Sequence, residues 1–113
     1  MSSVKIISVD VAKVRRRVDE YARELLATHL EVEEIIVFGS FEKDNYAPGS
    51  DVDIFIVLGE ANQPPRDRIP GFLPNKSIGV PVDVFPFTRT EMEERRDSPL
   101  LTAMRKSNWR YCR

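Results

Sequence analysis

Three aspartates offer chemistry in this sequence: Asp51 and Asp53, two residues apart at the head of an apolar run, and Asp83 inside a later run of valines. Carboxylates at i and i+2 of a strand project from one face with Cα atoms roughly 6.5–7 Å apart, so their oxygens can converge on a pair of ions held about 3.5–4 Å from each other. Hard, hydrated Mg²⁺ favours a few carboxylate oxygens plus substrate phosphates over a full protein cage, and aspartate presents such oxygens on a short stem. Asp53 and Asp83 would otherwise be charges among apolar neighbours, a costly placement unless something positive compensates them. Upstream, Gly39 allows a sharp turn and a close backbone approach, and the Ser40 hydroxyl with the following N–H groups can donate to phosphate oxygens. Ser50 turns the loop into the acidic run and orients Asp51, with direct phosphate contact left open.

These residues need a scaffold. Val52, Ile54, Ile56 and Leu58 alternate with Asp53, Phe55 and Val57, which predicts a strand over Val52–Leu58 with Asp51 on the side of Asp53. Ile35–Phe38 is a short β-branched and aromatic run stopped by Gly39, as in a strand buried on both faces. Val80–Phe87 predicts a third strand, with Val80, Val82 and Val84 on one side and Asp83 and Phe85 on the other, limited by Pro81 and Pro86. From Gly59 to Pro81 the chain spends five of its eight prolines, which leaves room for a turn or two of helix at most.

Helices frame the strands. Val11, Val14, Val18, Tyr21, Ala22, Leu25 and Leu26 recur at three- and four-residue steps, predicting an amphipathic helix from Val11 to His29 capped by Asp10. Thr88 to Glu91 has capping-box spacing and opens a helix toward Arg96, and Ser98-Pro99 starts a last helix to about Ser107. Trp109–Cys112 is a short terminal strand or a packed tail. The expected fold is α/β (α+β), a small mixed sheet with helices mainly on one face and the acidic site open on the other, in a single domain over residues 1–113.

Composition narrows the function classes. With 42% hydrophobic and 31% charged residues among 113, the chain is an ordinary globular one. Its net charge of -1 argues against general affinity for nucleic acid. The single cysteine, Cys112, cannot form an internal disulfide, and no apolar run is long enough for a signal peptide or a membrane span, so a cytoplasmic setting is expected. His29, the only histidine, belongs to a helix end, where a protonated imidazole favours the dipole. Arg15-Arg16-Arg17 reads as solvated surface charge, since acidic residues follow.

Together, Phe38-Gly39-Ser40, the segment Gly49-Ser50-Asp51-Val52-Asp53-Ile54-Phe55-Ile56-Val57, and Pro81-Val82-Asp83-Val84 resemble the DNA polymerase beta-type nucleotidyltransferase superfamily, and in size the minimal nucleotidyltransferases of prokaryotes. The resemblance implies that Asp51 and Asp53 share two Mg²⁺ ions, or Mn²⁺, and that Asp83 assists the ion that activates an acceptor hydroxyl. ATP or another NTP is then the substrate. Where family members carry arginine and then glycine after the Gly-Ser turn, this chain has Lys43 and Asp44, so Lys43 faces phosphate as a point charge without a bidentate fork. Small members are similar to the antitoxin halves of two-gene modules, which implies a helical HEPN-type partner protein and transfer of AMP to a tyrosine hydroxyl. An acceptor supplied by another protein also fits a chain without a second, acceptor-holding domain. The alternative readings are a catalytically idle binding module that neutralises a partner by contact, and a nucleotide sensor; a homo-oligomer is left open.

Overall fold

The computed structural model describes residues 10–39 and 51–113. The expectations for Ser40, Lys43 and Ser50 lie outside those residues. Helix α1 spans Val11–Thr28, strand β1 Val32–Phe38, strand β2 Val52–Leu58, helix α2 Pro65–Phe72, strand β3 Val82–Thr88, helix α3 Arg89–Glu94, helix α4 Pro99–Arg105 and strand β4 Trp109–Cys112.

The four strands form one mixed sheet in the order β3-β2-β1-β4. β1 pairs antiparallel with both β2 and β4, whereas β2 and β3 run parallel and are connected through α2. The parallel pair requires a crossover, and the proline-rich segment supplies it with only eight helical residues. Pro64 and Pro65 start α2, where a missing N–H costs nothing, and Pro70 is accommodated inside it.

Strand alternation divides the interior into two layers. On one face Val32, Ile35, Val37, Val52, Ile54, Ile56, Leu58 and Val84 pack with the α1 stripe Val14, Val18, Ala22 and Leu25 and with Phe72 of α2. On the other face Ile36, Phe38, Phe55 and Val57 pack with Leu101 and Met104 of α4, with Phe85, Phe87 and Met92 at the margin. The two longer helices thus cover one face and two short helices part of the other. The side assignments for β2 and β3 agree with the period-2 reading, so Asp53 and Asp83 share the face of Phe55 and Phe85.

Local signals set the boundaries. Asp10 accepts from the Lys13 N–H at 3.0 Å and caps α1, and His29 closes it by donating its backbone N–H to Leu25. Both halves of the Thr88–Glu91 capping box form, and the Ser98 side chain caps α4 ahead of Pro99. Trp109–Cys112 resolves as a strand, joined to β1 through buried Ser107, whose hydroxyl donates to the Val37 carbonyl and accepts the Trp109 N–H at 3.1 Å.

Candidate active site

The site is assembled where β1 ends and β2 and β3 begin. Phe38, the last residue of β1, is the register partner of Asp53, and Asp53 in turn is the register partner of Asp83. Adjacent strands lie about 4.8 Å apart, and parallel in-register residues point the same way, so the two carboxylates leave the sheet side by side. Asp51 precedes β2, is exposed, and stands on the same side by alternation. Asp83 is exposed as well; Asp53 is the partly buried member.

Gly39 closes the opposite flank. Its φ is +92°, a left-handed conformation that side chains resist, and a Cβ built there would meet the Asp53 Oδ2 at 2.6 Å. Two demands therefore require glycine at this position. The sequence reading gave it a role toward phosphate; its approach to Asp53 is a contact that no local spacing revealed.

Electrostatics single out Asp53. Burial is the largest influence and the neighbouring charges of Asp83 and Asp51 add to it, all pushing the Asp53 carboxyl above the usual aspartate range. As they stand, the described residues contain no ready-made group of three or more His, Cys, Asp or Glu side chains for a metal ion. What the backbone register brings together is the pair Asp53 and Asp83, with Asp51 near enough to act on Asp53 by charge. One or two carboxylates completed by substrate phosphates is the donor set that Mg²⁺ takes in phosphoryl-handling sites. The crowded carboxylates therefore fit a divalent cation.

Sequence reasoning missed one buried polar group that holds the crossover in place. Arg68 of α2 is 6% exposed and grips Glu91 of α3 with two bonds, at 2.6 and 2.9 Å, while also donating to the carbonyls of Pro86 and Gln63. The Arg68 guanidinium, with the backbone and side chain of Thr88, holds the Glu91 carboxyl down at about 2 against the opposing effect of burial. The capping-box spacing identified Glu91 as a cap, but nothing local pairs it with an arginine 23 residues earlier.

A sequence comparison with curated proteins finds no match. Among solved structures, the chain is similar to a candidate nucleotidyltransferase from Sulfolobus solfataricus, with 20% identity, 90% of this chain and 80% of the other covered, and a TM-score of 0.53. That likeness is one of fold. No helix among the described residues is long and apolar enough to cross a membrane. The profile of the family described as "Nucleotidyltransferase domain" matches residues 15–112, a span that holds all of β1 to β4 and the three aspartates. The chain therefore belongs to the nucleotidyltransferase-domain family, within the polymerase beta-type superfamily, and is an enzyme of that class.

Proposed function

We propose that this chain is a metal-dependent transferase that moves AMP from ATP onto a hydroxyl of a partner protein, as the antitoxin of a toxin–antitoxin module with a helical HEPN-type toxin. The observation that carries the metal-dependent part is the Asp53–Asp83 register pair, with Asp51 on the same side and Gly39 against Asp53. The acceptor and the module rest on the sequence resemblance.

Asp51, Asp53 and Asp83 would hold Mg²⁺, which when bound offsets phosphate charge and acidifies an acceptor hydroxyl. Asp53, partly buried between its two acidic neighbours, anchors the site because it has the least freedom to turn away. Asp83 is exposed on an edge strand, where it can accept the proton of an arriving hydroxyl. The acceptor oxygen then bonds to the α-phosphorus, the bond from that phosphorus to the bridging oxygen breaks, and pyrophosphate leaves. The proton passes from Asp83 to water.

Purified chain is mixed with α-labelled ATP, Mg²⁺ and the protein encoded beside its gene. Label on that protein, lost with Asp53→Asn, supports the reading. ATP binding without transfer contradicts it and favours an idle binding module.

A further inference from the structure

Far from the aspartates, the described surface has a second distinctive region. Leu58, five residues beyond Asp53 and so roughly 17 Å away along β2, lies at the base of a cleft of about 680 Å³. His29 and Phe72 also line it, and their rings meet with centroids 5.3 Å apart. Next to these two in the chain come Leu30, 84% exposed, and Leu73, 45% exposed. Among the described residues, these are the two large apolar side chains that stand exposed; Leu30 lines an adjoining depression that shares Glu31 and Glu60 with the cleft, and Leu73 follows the lining residue Phe72. A lone surface leucine is ordinary, whereas apolar side chains gathered beside a groove mark a contact with another molecule.

The charges around the groove indicate the kind of molecule. Glu31, Glu60 and Asp67 line it and make no ion pair among the described residues. The cation in its wall, Arg68, is buried and committed to Glu91. Arg113 reaches this corner, donating to the carbonyls of His29 and Val32, and leaves the carboxylates in excess. An occupant must therefore bring aliphatic side chains for Leu30 and Leu73 and positive charge for the rim, the combination offered by one face of a basic amphipathic helix.

We propose that this cleft docks a basic amphipathic helix of a partner protein, at the end of the sheet away from the acidic site. The inference rests on the reading that the acceptor belongs to a partner protein, and it places that partner's anchor apart from its reacting hydroxyl. Docking at one end holds the partner while its acceptor reaches Asp83 at the other, so binding strength and chemistry are carried by different residues.

The probe is a synthetic amphipathic helix of leucine and lysine, titrated into the full chain and followed by amide chemical shifts and fluorescence anisotropy. A matched helix with glutamate for lysine is the control. Shifts are expected to concentrate at residues 29–31, 58–63 and 67–73, with the glutamate helix binding far more weakly. Leu30→Asp with Leu73→Asp weakens the lysine helix about tenfold or more, as does Glu31→Lys with Glu60→Lys, with thermal melts confirming that each variant folds. Leu30→Gln with Leu73→Gln repeats the test if the aspartates disturb folding. Asp53→Asn leaves peptide binding unchanged, so loss of transfer and loss of docking are told apart. Shifts on another face, equal binding of the two helices, unchanged binding by the leucine variants, or self-association of the chain through these residues overturns the proposal.

Discussion

Gly39 and Asp53 approach so closely that a Cβ on the glycine would meet the carboxylate Oδ2 at 2.6 Å. The end of β1 thereby limits where the partly buried carboxylate can point. Gly39→Ala is expected to cost about 1–2 kcal/mol in stability for its left-handed backbone alone. It also pushes Asp53 out of line, and a displacement on the order of 1 Å in such a site lowers turnover about 100-fold. Urea unfolding beside a transfer assay separates the two effects: an alanine variant with reduced stability and full turnover would show that the contact does not position Asp53.

Asp53 makes the site sensitive to pH. Its carboxyl is raised by burial first and by Asp83 and Asp51 next, so the metal-free native protein binds a proton there more tightly than the unfolded chain does. The sign follows: ionising Asp53 lowers stability as pH rises through its native value, and that cost is absent below the unfolded value near 3.8. Asp53→Asn should therefore raise the melting temperature of the metal-free protein at neutral pH. The same substitution removes the stabilisation given by Mg²⁺ and lowers transfer by more than about 100-fold, beyond the usual loss for a group that merely supports a ligand. In the unaltered protein, metal binding releases protons, and Mn²⁺ affinity weakens on acidification from above the ordinary aspartate range. Calorimetry in buffers of different ionisation enthalpy measures that release.

The Arg68–Glu91 clamp carries its own pH signature. A carboxyl lowered from 4.5 to about 2 in the native state contributes stability that is present above 4.5 and lost as the pH falls toward 2. At neutral pH, Glu91→Ala leaves the buried guanidinium without its counter-charge and is expected to cost about 3 kcal/mol. That difference from the unaltered protein should shrink between pH 4.5 and about 2, as read by urea unfolding at stepped pH. A constant difference across this window would mean that the pair contributes little and that the lost cap accounts for the effect.

How far the sequence reveals this molecule depends on whether a feature is local. Val52–Leu58 was legible at both ends because alternation, the preceding Pro-Gly-Ser sequence and Gly59 agree. β1 begins at Val32, not Ile35, since Glu33 and Glu34 sit in the strand with ion partners, Arg89 and Arg110, supplied from far along the chain. β3 starts two residues later than the apolar pattern suggested, because Gly79 takes φ +104° and the chain still bends at Gly79 and Val80. For the site, the spacing of Asp51 and Asp53 predicted a shared face, and the register pairing of Asp53 with Asp83 came from the parallel crossover. Arg68 was illegible, being a charged residue in a proline-broken stretch whose partner is set by tertiary packing.

The central claim is that the bond broken in ATP lies at the α-phosphorus, and parallel reactions with α-labelled and γ-labelled ATP test it most directly. With Mg²⁺ and the partner protein, the account predicts acceptor labelling from the α-label alone, release of pyrophosphate, and loss of both with Asp53→Asn. Acceptor labelling from the γ-label, or α-labelling that persists in Asp53→Asn, would contradict it.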